Sequence, residues 1–484
     1  MQKNISLNMV QTLWTAHKSL LEDSFGWLHP QFHLMSWALS CLSLKKNYEN
    51  VVLYTDEEGK HILGDILHLP YSDIKVVYQD LECPPQHWAY AKIKTYSAQL
   101  KPFLHVDGDV FISRRLDRCI ESAPLVAQNL EKASSYYERM IERIIKRHPY
   151  LPVCFTKELH SALPGSYNAG VIGGNDLGFI HDYSMLAISY IRRNHLDKCN
   201  CVSEDINYNI WFEQMLFYAL AKDRQKEVTT IFPDSVQDNG YTYSEFCDFY
   251  KYDHSILLHI IGGHKQNERV CNMLAKTLLR KYPDYYWRII GLFPERNSRF
   301  CNKESGRDKV VPSIRRCMAE YENALSQKVR EWKVLSKKEL FRLERGNAES
   351  LLFLNADLDH QRHYVMGSIP YISYFEMPDT WPEEAMHLLK RRIDREKDRP
   401  DYTIVWSPCL LGKGYRELLV NNVSYNILRL CEKERPYGEV YDTIIRLLPP
   451  EWQGDKYRGY RLVMKSMEYL FYHGLLYVKD DPDT

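Results

Sequence analysis

The chain has no apolar run approaching the ~20 residues that a membrane-spanning helix needs, which excludes an integral membrane segment on this reading. Met1–Val10 carries one Lys and no long apolar stretch, so no secretory signal is expected. There is no excess of charge of either sign: Lys+Arg and Asp+Glu both number 63. That balance offers no electrostatic footprint for nucleic acid or an anionic membrane, although it is compatible with a local basic cleft. The 12 Cys follow no metal-ligand spacing. Cys199-Asn200-Cys201 is too tight for the usual zinc pair, and no second pair follows it. Free thiols in a cytoplasmic protein are the expectation. No internal repeat and no low-complexity tract interrupts the chain.

What is present is enough material for two or three cores in 484 residues, 45% of them hydrophobic. The 35 Tyr and 10 Trp suit core packing, and aromatic faces also suit sugars. Residues 8–295 alternate short apolar runs with amphipathic stretches, the pattern of an α/β domain. Strands are predicted at Val10–Ala16, Asn50–Thr55, Ile74–Tyr78, Phe103–Ile112 and Ser255–Ile261. Helices are predicted at Pro30–Leu44, where Phe32, Met35, Ala38, Leu39 and Leu42 recur at helical spacing, and at Tyr90–Leu100 and Asn209–Leu220. Asp56-Glu57-Glu58-Gly59 reads as a turn. Residues 296–400 are rich in Lys, Arg and Glu, and Ser313–Arg345 reads as one or two charged helices, so this stretch is expected to be a connector. Residues 401–480 carry two short strands, three helices and a closing strand, the outline of a small winged-helix α+β unit.

Two short strings carry chemistry. Asp107-Gly108-Asp109 stands among Leu104, Val106, Val110, Phe111 and Ile112. Buried carboxylates are costly unless compensated. Mg²⁺ or Mn²⁺ would compensate them, since both prefer carboxylate oxygen. An ordinary Asp-Gly-Asp turn is the alternative. Gly108 would leave room for a diphosphate at the backbone. The second string is His259-Ile260-Ile261-Gly262-Gly263-His264-Lys265, directly after an apolar strand. His259 offers a neutral imidazole to a metal, Gly262 and Gly263 offer backbone N–H groups to an anion, and Lys265 offers a point charge to a phosphate.

Together the two strings resemble the glycosyltransferases of family eight, which have the GT-A fold and carry Asp-x-Asp at a strand end and later His-x-x-Gly-x-x-Lys. The resemblance spans roughly residues 8–290. It implies a Rossmann-like α/β transferase domain and a metal held by Asp107, Asp109 and His259, with Mn²⁺ or Mg²⁺ as cofactor and a nucleotide sugar, UDP-linked by the resemblance, as donor. Lys92 in Tyr90-Ala91-Lys92-Ile93-Lys94 falls where the family has a basic residue on the donor phosphates. Asn168-Ala169-Gly170 resembles the segment that contacts the donor sugar, and Glu213-Gln214 resembles an Asp-Gln motif with Glu in place of Asp. The resemblance gives Glu213 and Gln214 the roles nearest the chemistry, with Glu213 on a sugar hydroxyl and Gln214 orienting the sugar. Trp14-Thr15-Ala16 falls where the family holds the uracil base. The expected outcome is transfer with retention of anomeric configuration. Gln266-Asn267 replaces the Pro-Trp that often follows the last Lys.

The last ~80 residues resemble the PqqD-like winged helices that recognise precursor peptides, through Leu418-Leu419-Val420-Asn421-Asn422, Ile427-Leu428-Arg429-Leu430-Cys431 and Gly474-Leu475-Leu476-Tyr477-Val478. Such a module binds a leader peptide as an added strand, so a peptide or protein acceptor is implied. A small assembly domain is the alternative, with a polysaccharide or lipopolysaccharide as acceptor. A non-catalytic GT-A-like binding protein is a further reading. Residues 401–484 hold 11 Lys/Arg against 12 Asp/Glu, so a DNA-binding winged helix lacks its basic face.

Overall fold

The computed structural model describes residues 7–294 apart from 133–134, 159–164, 199–205, 238–239, 243–245 and 254. Beyond 294 it describes 307–332, 352–376 apart from 363, 402–408, 415–448 and 456–480, with a few single positions between. The predicted Cys199-Asn200-Cys201 stretch and residues 333–345 of the charged helix lie outside the described residues. The chain divides into two compact units, Met1–Asn302 and Lys303–Thr484.

In the first unit, β1 (Asn8–Leu13), β2 (Val51–Thr55), β3 (Asp73–Val76) and β4 (Phe103–Val106) pair in parallel in the order β3-β2-β1-β4. All four residues of β4 are buried, as expected for a strand covered on both faces. The remaining strands are β5 (Val110–Ile112), β6 (Val126–Ala127), β7 (Leu130–Lys132), β8 (Gly165–Tyr167), β9 (Val171–Gly174), β10 (Thr229–Thr230), β11 (Val236–Gln237) and β12 (Leu257–His259). β9 runs antiparallel to β4 and β6, and β10 closes a seven-stranded sheet ordered β10-β6-β9-β4-β1-β2-β3. The fold is mixed α/β with a mainly parallel central sheet. From β1 the chain proceeds to β2 on one side and reaches β4 on the other, so the strand order reverses at β1. In open α/β sheets such a reversal leaves a crevice at the carboxyl ends of the strands. Here those ends are Trp14–Ala16 and Asp107.

The helix Pro30–Asn47 opens with Pro30, which has no N–H to leave unpaired, and His29 Nδ1 accepts from the Gln31 N–H at 3.1 Å. One apolar stripe was expected, yet every residue from Pro30 to Leu44 is buried. The other faces carry small hydroxyls that find partners. Ser36 Oγ donates to Gly108 O at 2.7 Å, and Ser40 Oγ donates to Val110 O at 2.7 Å.

Four predicted elements differ from their expected form. β1 stops at Leu13 because Ala16 and His17 take φ of +53° and +64°, turning the chain sharply. Asp56-Glu57-Glu58-Gly59 is the start of a helical segment, not an open turn: Asp56 Oδ1 accepts the Gly59 N–H at 3.0 Å as its N-cap. Phe103–Ile112 is not one strand. β4 belongs to the central sheet, β5 pairs with β12 in a separate ladder, and Asp107–Asp109 is the break between them. The predicted Asn209–Leu220 helix begins as a π-helix, Ile210–Met215, and continues as Leu216–Asp223.

The second unit contains a helix Arg307–Trp332, β13 (Tyr364–Ser368), β14 (Ser373–Phe375), β15 (Tyr402–Pro408) and β16 (Tyr415–Asn421). A helix Asn422–Leu430, β17 (Arg435–Pro436), helices Tyr437–Leu447 and Lys456–Tyr472, and β18 (Leu476–Asp480) follow. The two sheets are ordered β17-β13-β18 and β14-β15-β16. The expected run of elements after residue 401 is present, but residues 296–400 are more than a connector. β13 pairs with β18 from Tyr364↔Asp480 to Ser368↔Leu476, and β14 pairs with β15. Phe353, Tyr364 and Met366 share one core with Ile427, Val440, Met467 and Val478. Tyr321 of the charged helix packs on Trp406 with ring centroids 5.1 Å apart, and its hydroxyl donates to the buried Glu417. The strands of this stretch are short, and the partners of β13, β17 and β18, lie far downstream, so local pattern carries little of the pairing.

Because β13 and the Tyr321 helix complete these sheets and this core, residues 303–484 are expected to unfold cooperatively as an isolated fragment, whereas 401–484 is expected to lack a cooperative transition. Denaturant unfolding followed by circular dichroism checks this, and a cooperative transition in the shorter fragment contradicts it.

Candidate metal centre

Asp107 follows the last residue of β4, and Asp109 precedes the first of β5. The turn between them is held at each end. The Asp107 N–H donates to Gly170 O at 2.9 Å, the Val110 N–H to Asp107 O at 3.1 Å, and the Ile260 N–H to Asp109 O at 3.1 Å. The β5–β12 register sets His259 opposite Val110. A histidine 150 residues downstream of Asp109 thereby reaches it. One ligand atom from each of Asp107, Asp109 and His259 lies within 4.8 Å of the others. Gly108 serves the packing of this turn: an added Cβ would stand 2.4 Å from the Trp37 indole, so that side of the residue is filled by the buried helix rather than open to a ligand.

Two lysines balance the carboxylates. Lys92, 5% exposed, places its Nζ 2.8 Å from Asp107 Oδ1 and 2.7 Å from Glu213 Oε1. Lys265 places its Nζ 2.6 Å from Asp109 Oδ2. His259 Nε2 lies 3.4 Å from Asp109 Oδ1. Burial works against the Asp109 carboxylate, but Lys265 and His259 outweigh it and hold its pKa well below the usual range. Burial raises the Asp107 pKa against the pull of Lys92, with Asp109 adding repulsion. Burial also disfavours the Lys92 ammonium, yet Asp107 and Glu213 outweigh it and raise its pKa.

Glu213 is fully buried on the π-helix Ile210–Met215, an element often found at functional sites. Its Oε1 accepts from Tyr96 OH at 2.6 Å, and its backbone carbonyl accepts from Tyr183 OH at 2.6 Å. Its Oε2 has no hydrogen-bond partner among the described residues. Burial pushes this carboxyl up to about 7, against Lys92 and with Asp107 adding repulsion. Gln214 is half-buried beside it.

The other expected residues separate into those near the centre and those that hold the frame. Asn168 Nδ2 donates to Glu131 Oε1 at 3.0 Å and to Tyr241 OH at 2.9 Å, and its Oδ1 accepts the Gly170 N–H at 2.9 Å. Its amide is therefore engaged in holding the Gly170 turn. Gly170 itself abuts the centre: a Cβ there would lie 2.5 Å from His259 Cε1. Ala169 is core. The Trp14 ring also lies in the core with Val10, Tyr54 and Tyr90. Thr15 donates both its N–H, at 2.6 Å, and its hydroxyl, at 2.8 Å, to Asp56 Oδ2, which pins the Trp14-Thr15-Ala16 turn at the end of β1. Gly262 has φ +53° and opens the 3-10 turn Gly262–Gln266, with open space where its Cβ would be. Gln266 and Asn267 have structural work in place of Pro-Trp. Gln266 Nε2 donates to Gly26 O at 2.7 Å, and Asn267 caps the helix Glu268–Lys281.

Gln128, Glu131, Tyr96 and Tyr241 were not singled out from the sequence. Gln128, Asn129 and Glu131 follow the apolar run Leu125-Val126-Ala127, and polar residues directly after a buried strand are the signal that marks them. Cys41, Cys154 and Cys247 are buried free thiols. No helix among the described residues is long and apolar enough to cross a membrane.

The raised pKa of Glu213 has a stability consequence. Folding favours its protonated form, so its stabilising contribution is complete below the ordinary value of 4.5 and is lost as pH rises through about 7. With metal chelated, the unfolding free energy of wild type relative to Glu213→Gln should fall over that window, on the order of 1–3 kcal/mol. Urea titrations at a series of pH values measure it. A difference that does not change with pH contradicts the assignment.

Comparison with curated proteins finds no match. Among solved structures, that of mouse xyloside xylosyltransferase 1 in its apo form is similar at a TM-score of 0.26 and 9% identity, over 46% of this chain and 84% of that one. A family model, described as a family of unknown function (DUF6734), matches residues 7–292. The match spans more than half of the chain and takes in every residue of the centre, and the chain belongs to that family.

Proposed function

We propose that the chain is a metal-dependent glycosyltransferase that takes a nucleotide-diphosphate sugar, a UDP-sugar by its resemblance to family eight, and transfers the sugar to a peptide or protein. The observation that carries this reading is the convergence of Asp107, Asp109 and His259 at one point beside Lys92 and Lys265. The donor set fits the ion. Two carboxylates and one imidazole suit Mn²⁺ or Mg²⁺ and leave coordination positions for diphosphate oxygens. The position also fits, since the centre lies at the carboxyl ends of parallel strands where the strand order reverses.

A divalent cation here would supply Lewis-acid neutralisation of the diphosphate leaving group. The rest of the chemistry belongs to the chain. Lys92 and Lys265, now paired with the two carboxylates, would turn their ammonium groups to the diphosphate oxygens as the anomeric bond breaks. Glu213, with one oxygen held by Lys92 and Tyr96, would accept a sugar hydroxyl with the other. Gln214 would orient the sugar. Asn168 would act through the Gly170 turn it holds. The acceptor's proton would pass to the departing diphosphate, so no enzyme base is assigned. The second unit would bind the peptide acceptor and raise its concentration at the transferase centre.

The test is hydrolysis of a panel of UDP-sugars with Mn²⁺. At least one sugar should be released, and the rate should fall by about 100-fold or more with EDTA, in Asp109→Asn and in His259→Ala. No hydrolysis of any nucleotide sugar, or hydrolysis indifferent to EDTA and to Asp109→Asn, would contradict the reading.

A further inference from the structure

A largely buried chain of hydrogen bonds runs from Glu131 to His259. Glu131 is 5% exposed, and no cation is paired with it among the described residues. Its carboxylate is held by hydroxyl and amide donors instead. Tyr241 OH donates to Oε1, Tyr137 OH donates to Oε2, and Ser166 Oγ donates to Oε2 at 2.8 Å. A carboxylate only accepts, so the single proton of Tyr241 is committed to it. The Tyr241 oxygen then accepts, and Asn129 Nδ2 stands 3.0 Å away as its donor. That turns Asn129 Oδ1 toward Gln128, whose Nε2 donates to it at 3.0 Å. Gln128 Oε1 is left facing His259 Nδ1 at 2.7 Å. An amide oxygen only accepts, so Nδ1 carries the proton, and in the neutral ring Nε2 carries the lone pair. It is Nε2 that faces Asp109, at 3.4 Å.

We propose that Gln128 is a positioning residue which, oriented by the Glu131–Tyr241–Asn129 chain, fixes His259 in its Nδ1–H tautomer so that Nε2 is the metal-binding atom. The inference rests on the metal reading above, but the tautomer is a property of the metal-free protein. A metal-ligating His commonly donates its other N–H to an oxygen that holds the ring and raises its basicity. Here the direction of that donation is set four side chains away, by an anion that cannot donate. Gln128 and Asn129 have no exposed surface, so bulk solvent does not compete for them. Gly170 completes the fit, since any Cβ there would meet both His259 and Gln128 Oε1.

The experiment uses the full chain, with ¹⁵N-labelled histidine, as wild type, Gln128→Met and Gln128→Glu. Met keeps length and removes the acceptor, while Glu keeps an acceptor oxygen. Long-range ¹H–¹⁵N spectra of the metal-free proteins at one fixed pH report the tautomer, Mn²⁺ titration reports affinity, and circular dichroism reports folding. Wild type and Gln128→Glu are expected to show Nδ1–H at His259. Gln128→Met is expected to show a mixture with Nε2–H and to bind Mn²⁺ about 10- to 100-fold more weakly. An unchanged Nδ1–H tautomer in Gln128→Met, or an Nε2–H tautomer in wild type, overturns the proposal. A wild type that has the Nδ1–H tautomer, loses it in Gln128→Met and binds no Mn²⁺ supports the positioning role and overturns the metal reading alone. If Gln128→Met does not fold, Glu131→Gln replaces it: its amide can donate, so a mixed tautomer supports the proposal and an unchanged one overturns it.

Discussion

Two carboxylates two residues apart, Asp107 and Asp109, stand largely covered at the carboxyl edge of the central sheet, with 20% and 14% of their side chains exposed. Their mutual repulsion and loss of hydration are the constraint around which the first unit is organised. Lys92 answers one and Lys265 the other, from helix and turn on separate elements. The sheet break at Gly108 gives the two side chains their places, and Trp37, Ser36 and Ser40 of the buried helix hold that break from beneath. Buried ion pairs of this kind are costly to desolvate and are weak devices for stability alone. Their concentration at a strand-order reversal, next to an imidazole with its lone pair turned inward, is better accounted for by a ligand that needs all of them.

The parts of the centre that can be read in the sequence are those written as local strings. Asp107-Gly108-Asp109 and His259 to Lys265 each stand at the end of an apolar strand, and their convergence depends only on those strands lying near each other. Lys92 was legible only through the family resemblance, which places a basic residue on a helix ahead of the acidic strand. What was not legible is assembled across segments. Gln128 and Glu131 are marked only as polar residues after a buried strand and Tyr241 by nothing local, and their meaning comes from the proton direction they impose on one another. Asn168 illustrates the difference: the resemblance implied its position near the site, but not the engagement of its amide by Glu131, Tyr241 and Gly170.

The fold divides in the same way. Strands buried on both faces, such as β4, announce themselves as mainly apolar runs, and the parallel core follows from them. The second unit is different, because two of its sheets borrow strands from a charge-rich stretch. β13 finds its register against β17 and β18, both far downstream in the chain. Pairing at such separation leaves no local periodicity, so the stretch reads as a solvated connector although Tyr364 and Met366 are core.

The central claim is that Asp107, Asp109 and His259 hold one divalent ion, and it is tested most directly by electron paramagnetic resonance of Mn²⁺ titrated into the full chain. The account predicts one bound ion per chain, with a nitrogen coupling that disappears in His259→Ala and binding that is lost in Asp109→Asn. No bound Mn²⁺, or a bound ion whose spectrum is the same in wild type and His259→Ala, would contradict it.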